Sequence, residues 1–304
     1  MKTLLVLLGP TGVGKTDLSI AVARALDTAI ISCDSRQIYK EMSIGTAVPS
    51  PEQLAAVKHY FIQTISVQEY YNSWQFEVQA LEKIRMLFQE KEVVVMTGGS
   101  MLYIDAVCKG IDDIPTISPE LRAELMGIYE REGLEAIRQM LKELDPVFYG
   151  QVDLQNGKRV LHAVEVCRMA GVPYSSLRRN TPKDRGFRIV RIGLNRDREE
   201  LYERIDRRVD QMLAAGLEEE ARRLWPWRHL NALNTVGYKE LFDYFEGKTD
   251  FDEAVRLIKR NSRRYARKQL SWFRRDSDIR WFHPDDYESI GKAIGLSLEG
   301  PFSR

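Results

Sequence analysis

Residues 9–16 read Gly-Pro-Thr-Gly-Val-Gly-Lys-Thr and fit the pattern GxxxxGK[ST]. Glycines at these spacings let a backbone curl until successive N–H groups face phosphate oxygens, and a helix starting there adds the positive end of its dipole. Gly9, Pro10, Thr11, Gly12, Val13 and Gly14 would supply that backbone cradle. Lys15 offers a mobile charge to a terminal phosphate, and the Thr16 hydroxyl suits Mg²⁺. The pattern says that a di- or triphosphate is held. It leaves open whether a nucleotide is split there or the diphosphate belongs to some other molecule.

Three further groups point at the same place. Asp34 follows the strand-like run 29–32, and ligands of open parallel sheets sit at the carboxyl ends of their strands. A carboxylate there can bind a metal, act as a general base or cap the turn that follows. Ser35, Arg36 and Gln37 add donors and acceptors beside it. A third strand, 92–96, runs into Thr97-Gly98-Gly99-Ser100. Many nucleotide hydrolases place an acid there. Two glycines instead permit close backbone approach, with the Ser100 hydroxyl beside the site, and the missing acid counts against ATP hydrolysis. In 201–213 the apolar residues Leu201, Ile205, Val209 and Met212 form one helical stripe. At about 100° per residue Arg208 falls within that stripe and Arg207 points away. An inward arginine needs an anion, either the diphosphate or a neighbouring carboxylate.

A second kind of chemistry lies near the C-terminus. From 254 to 275 there are nine basic residues and no acid. Arg256, Arg260, Arg263, Arg267 and Arg274 fall within roughly 60° of helical arc, and Ala254, Ile258, Tyr265 and Trp272 form the opposing, packed face. A solvated helix usually mixes both signs, so a single-sign stripe suits a polyanion such as RNA.

Ordinary elements must position these groups. The apolar run before Gly9 is a buried strand, and Leu18, Val22 and Leu26 mark the helix after the loop. Phe76, Ala80, Leu81, Ile84 and Phe88 mark another. The fold class is therefore α/β, a parallel sheet flanked by helices, built from 1–111 and 187–304. Between them, 112–186 carries Pro115, Pro119 and Pro146 among helical runs at 121–132, 134–144 and 157–170. A loop at 178–182 follows, and a strand at 189–194 returns to the sheet. This middle is a helical insertion, with Lys158, Arg159, Arg178 and Arg179 as candidate RNA contacts. Trp225 and Trp227 read as packing, and the tail beyond Asp285 carries no signal. The chain has 304 residues, 44% of them hydrophobic and 29% charged, with a net charge of +1. Attraction to nucleic acid must then come from charge gathered on one surface. Cys33, Cys108 and Cys167 stand too far apart in sequence for a zinc ribbon and fit a reducing cytoplasm. No run is long enough to span a membrane.

Taken together, GPTGVGKT (9–16), DSRQIY (34–39), MSIGTAVP (42–49), TGGSMLY (97–103), RIDRRVDQMLAAGL (204–217), VGYKEL (236–241) and SRRYARKQLSWFRR (262–275) resemble, in order, the tRNA dimethylallyltransferases of bacterial type. The resemblance implies a P-loop NTPase-like core with a tRNA-clasping insertion, acting as a monomer with Mg²⁺. It implies transfer of a dimethylallyl group from its diphosphate to N6 of the adenosine just 3′ of the anticodon, in tRNAs reading codons that begin with U. The diphosphate is then a leaving group. Asp34 would take the proton of the weakly nucleophilic amine. Lys15, Arg208, Mg²⁺ at Thr16 and the N–H groups of 12–16 would neutralise the departing diphosphate, with Ser100 beside them. Asp34, Ser35, Arg36, Gln37, Ser100, Lys158, Arg159, Arg260, Arg263 and Arg267 would meet the tRNA. The sequence departs from the family pattern at Val48, where Lys is usual, at Tyr60 for His, at Ser100 for Thr, and in the segment around His162. A small-molecule or nucleotide kinase is the alternative, since the phosphate loop and Asp34 would serve ATP and a hydroxyl equally well. A non-catalytic RNA-binding protein is the third reading.

Overall fold

A computed structural model describes residues 1–179, 181–296 and 298. The chain divides into two compact units, one formed by residues up to Cys108 and from Arg185 onward, the other by Lys109–Asp184.

The first unit is built on a six-stranded parallel sheet in the order β3-β2-β4-β1-β5-β6. Its strands are β1 (Thr3–Leu8), β2 (Ile30–Ser32), β3 (His59–Tyr60), β4 (Val93–Gly98), β5 (Arg188–Leu194) and β6 (Arg280–Phe282). The helices around it are α1 (Lys15–Ala25), α2 (Pro51–Ala56), α3 (Ser73–Leu87) and α4 (Met101–Lys109) before the insertion. The insertion itself holds α5 (Pro119–Leu144), α6 (Pro146–Tyr149), α7 (Gly157–Ala170) and α8 (Tyr174–Leu177). After it come α9 (Arg198–Ala214), α10 (Leu217–Leu224), α11 (Tyr238–Phe245), α12 (Phe251–Phe273) and α13 (Tyr287–Ile294). Because helices cover both faces of the sheet, the central strand shows no alternation: Leu4, Leu5, Val6, Leu7 and Leu8 are all buried.

The strand expected at 92–96 is the fourth in the chain rather than the third, because the two-residue β3 precedes it at the sheet edge. Two residues are too few to show a period. The same strand runs on through Gly98, whose missing side chain matters: a Cβ there would lie 2.6 Å from the Cys33 carbonyl. Cys33 N–H donates to the Thr97 carbonyl at 2.8 Å, and Ser100 N–H to the Cys33 carbonyl at 3.3 Å. The ends of β2 and β4 are thereby held side by side, which sets Asp34 next to the phosphate loop. The tail that carried no signal supplies α13.

The second unit has its own core of Leu125, Ile137, Leu141, Phe148, Val160 and Val164. The two helical runs expected at 121–132 and 134–144 are present as two segments of α5 separated by a kink at Gly133, whose φ of 79° only glycine adopts freely. Buried Asp145 accepts hydrogen bonds from Phe148 N–H at 2.9 Å and from Ser175 N–H and Oγ at 2.6 and 2.8 Å. Asn180, in the expected loop at 178–182, lies outside the described residues.

Candidate active site

The phosphate loop is gripped from behind by the C-terminal helices. Gln269 of α12, 2% exposed, accepts from Thr11 N–H at 2.9 Å and donates to the Gly99 carbonyl at 2.8 Å. Arg196 donates to the Val13 carbonyl at 2.9 Å and Arg204 to the Gly12 carbonyl at 3.0 Å. Gly12, at φ 79°, lies so close to α9 that a Cβ would sit 2.8 Å from the Ile205 side chain. Lys15 folds over the loop, donating to the Gly9 and Pro10 carbonyls at 3.0 and 2.7 Å. Burial lowers its pKa to about 8; Arg208 adds to the shift and Asp34 opposes it. Protonated Lys15 is therefore lost as pH rises through about 8. Affinity for inorganic diphosphate, titrated calorimetrically, is expected to fall with pH above that point by at most about tenfold per unit. Lys15→Gln is expected to flatten the profile.

Asp34 lies two residues past the end of β2 and uses one carboxylate oxygen locally. Oδ1 accepts from Arg36 N–H at 2.9 Å and Gln37 N–H at 3.3 Å. The capping role and the site role thus coexist in one side chain. Gln37 departs from expectation. Its amide nitrogen donates to the Thr46 and Ala47 carbonyls at 3.1 and 3.0 Å, so its polar end braces the 43–48 loop. Arg36 donates to the Asn231 carbonyl at 3.0 Å.

Two cavities meet at Asp34. The larger, about 940 Å³, includes Lys15, Thr16, Arg204 and Gln211 and extends to Val48 and Leu54. The smaller, about 490 Å³, is walled by Ser35, Arg36, Ile205, Val209, Leu217, Val236, Ile258 and Asn261. Thr11, Asp34, Thr46, Arg208, Met212 and Tyr265 line both. Arg208 thus points inward, as its helical phase predicts, while Arg207 pairs outward with Glu203 at 2.5 Å. Among the described residues Arg208 has no carboxylate within ion-pair distance. Burial pushes its pKa down, against the attraction of Asp34.

Three expectations are corrected here. Tyr265 does not pack: it is 38% exposed and stands where the two cavities join, with its pKa raised to about 12 by desolvation. It shares the phase of Ala254 and Ile258, but at its level the helix faces a cavity instead of a core. Ser100 is buried and lines neither cavity. The chain turns under Gly99, which takes the place expected for the hydroxyl. The basic stripe on α12 is not free of acids. Arg263 pairs with Asp206 of α9, Lys259 with Asp210 at 2.6 Å, and Arg256 with Glu253 at 2.6 Å. These acids are remote in sequence or precede 254, so the composition of the helix alone hid them.

Arg260 is half-buried and donates to Asn261 Oδ1 at 3.2 Å. Arg267 and Arg274 are exposed and, among the described residues, have no carboxylate partner. In the second unit Lys158 and Arg159 are exposed in the first turn of α7, and Arg178 stacks on Phe148 and Tyr174. Glu200, His283 and Asp285 lie close enough to hold a metal. Arg196 sits among them, however, donating to Asp285 Oδ2 at 2.8 Å and to Glu200 at 2.5 Å, so their charge is already compensated.

The sequence model of the IPP transferase family matches residues 37–276. The chain belongs to the IPP transferase family. Its similarity to curated family members runs nearly end to end: it is 60% identical to tRNA dimethylallyltransferase 2 of Parabacteroides distasonis, over 95% of this chain and 97% of the relative. It is 33% identical to the solved full-length tRNA isopentenylpyrophosphate transferase of Bacillus halodurans, with a TM-score of 0.69, covering 97% of this chain and 94% of that one. A eukaryotic dimethylallyltransferase acting on tRNA, only 22% identical, shares the fold with a TM-score of 0.81. The IPP transferase match carries the P-loop NTPase-like fold with it and disfavours the kinase reading. Sequence reasoning missed Tyr265, Gln269 and Arg204 as parts of this site. Only the phase of α12 relative to α9 would have revealed them. No helix among the described residues is long and apolar enough to cross a membrane.

Proposed function

We propose that this protein transfers the dimethylallyl group of dimethylallyl diphosphate to N6 of the adenosine 3′-adjacent to the anticodon in tRNAs reading codons that begin with U, releasing diphosphate. The observation that carries the reading is the junction of the two cavities. There a carboxylate with one oxygen committed to its own turn meets an arginine with no carboxylate partner among the described residues, beside a phosphate loop.

The diphosphate lies in the larger cavity, under Lys15 and the N–H groups of 12–16. The adenine, swung out of its stack at a cost of a few kcal/mol, enters through the smaller cavity past Ser35 and Arg36. As N6 bonds to the allylic carbon, the carbon–oxygen bond breaks and its electron pair leaves with the diphosphate. Asp34 accepts the N6 proton. Lys15 and Arg208 neutralise the leaving group in a site shielded from bulk water. The donor set suits a hard cation, because Thr16, which carries a hydroxyl, lines the cavity that would hold the diphosphate. Thr16 and diphosphate oxygens would hold Mg²⁺, which supplies further neutralisation of the leaving group. The tRNA backbone runs along the exposed arginines of α12, with Arg260, bonded to Asn261 of the smaller cavity's wall, and Lys158 and Arg159 of the insertion as further contacts. The protein acts as a cytoplasmic monomer.

Incubating unmodified tRNA with the protein, Mg²⁺ and dimethylallyl diphosphate is expected to yield adenosine carrying one added C5H8 unit, read by nucleoside mass spectrometry. ATP consumption without that product would return the kinase reading. On α12, Arg267→Glu is expected to weaken tRNA binding and flatten its salt dependence by about one counterion, leaving diphosphate binding unchanged. Arg263→Glu, facing Asp206, is expected instead to lower the melting temperature. Filter binding over a salt series and thermal melts distinguish the two.

A further inference from the structure

Glu220 of α10 is 2% exposed and, among the described residues, has no Lys or Arg partner. Its carboxylate is held by four neutral donors. Oε2 accepts from Ser43 and Ile44 N–H at 3.0 and 2.9 Å, and Oε1 from Gly45 N–H at 2.9 Å and the Tyr238 hydroxyl at 2.7 Å. Three consecutive N–H groups converging on one point form an anion nest of the kind that binds phosphates. Here the protein fills it with its own side chain. The fit demands glycine at the last of the three, since a Cβ on Gly45 would lie 2.6 Å from the Tyr238 ring.

An isolated buried carboxylate is costly, and a site needing only packing is served as well by an apolar side chain. What this one organises is the loop that lines both cavities. Gly45 and Thr46 face the smaller cavity, and Ser43, Ile44, Thr46 and Ala47 the larger. The Thr46 and Ala47 carbonyls receive the Gln37 amide at 3.1 and 3.0 Å, and Gln37 N–H donates to Asp34 Oδ1 at 3.3 Å. A continuous run of hydrogen bonds therefore leads from Glu220 through residues 43–47 and Gln37 to Asp34.

We propose that Glu220 is a positioning residue, fixing the aim of Asp34 at the reacting nitrogen through the 43–47 loop and Gln37. The inference rests on the reading of Asp34 as the base. Glu220→Gln keeps the shape but turns an NH₂ toward N–H donors, and Gln37→Met cuts the run at its second link while preserving bulk. Either change is expected to lower the single-turnover rate per folded protein roughly ten- to a hundredfold, the scale of a small misplacement transmitted to the reacting groups. KM for dimethylallyl diphosphate should stay within about threefold, because the bonds of Lys15, Gln269 and Arg196 to the phosphate loop bypass this loop. The double variant should be no slower than the slower single, since both cut one run. A purely structural role would lower the melting temperature and the folded fraction and leave the rate per folded molecule unchanged in both single variants and in the double. If Glu220→Gln does not fold, Gln37→Met decides alone. An active Asp34→Asn removes the base reading and this inference with it. An inactive Asp34→Asn together with a native rate in Gln37→Met overturns the positioning role alone.

Discussion

Asp34→Asn is expected to slow prenyl transfer by about 10³-fold, with affinity for each substrate within a few-fold of the native value. The substitution suits the geometry. Asn retains an oxygen able to accept from Arg36 and Gln37 N–H, so the turn survives. What disappears is the proton acceptor at the cavity junction. Because adenine N6 donates its lone pair into the ring, the new bond forms only as the proton leaves, and among the described residues no other carboxylate lines both cavities to receive it. Rapid-quench measurement of the chemical step, beside equilibrium binding of tRNA and of diphosphate, tests this directly. A rate within tenfold of native would rule out Asp34 as the base.

Arg208→Met gives effects of opposite sign on activity and stability. Met keeps an apolar stem and removes a cation that, among the described residues, meets no carboxylate within ion-pair distance. In the ligand-free protein that cation is partly desolvated for no compensating pair, so its removal should leave the melting temperature unchanged or raised. In the reaction it faces the charge that grows on the departing diphosphate. Loss of one such preorganised group is worth about 10²–10³ in kcat. Thermal melts and steady-state kinetics on the same preparation test both halves. A parallel fall in stability and activity would mean that Arg208 is structural.

Local features of the sequence carried much of this. The phosphate loop follows from eight adjacent residues, and the fold class from runs that are apolar throughout or periodic at helical spacing. The inward phase of Arg208 follows from four apolar neighbours on its own helix. Legibility failed where a residue's surroundings come from a distant segment. Tyr265 looks like core on its own helix and becomes a cavity wall only because α9 and the phosphate loop leave space before it. Arg263 looks free until Asp206 arrives from α9. The two-residue β3 and the three-residue β6 are strands only because longer neighbours pair with them.

The placement of β1 has a consequence for biosynthesis. β1 lies at the middle of the sheet and is translated before both of its neighbours there, which come from far along the chain: Thr3 pairs with Val93 on one side and with Arg188 on the other. Until β5 is translated, one edge of a strand that is apolar from Leu4 to Leu8 has no partner, which makes the half-made chain a target for aggregation or chaperone capture. The insertion shortens the search. Lys183 N–H meets the Lys109 carbonyl at 2.7 Å, so once the insertion folds, the chain leading to β5 is delivered at a short neck instead of across a long flexible loop. Changes that unfold the insertion would then slow completion of a sheet to which it contributes no strand.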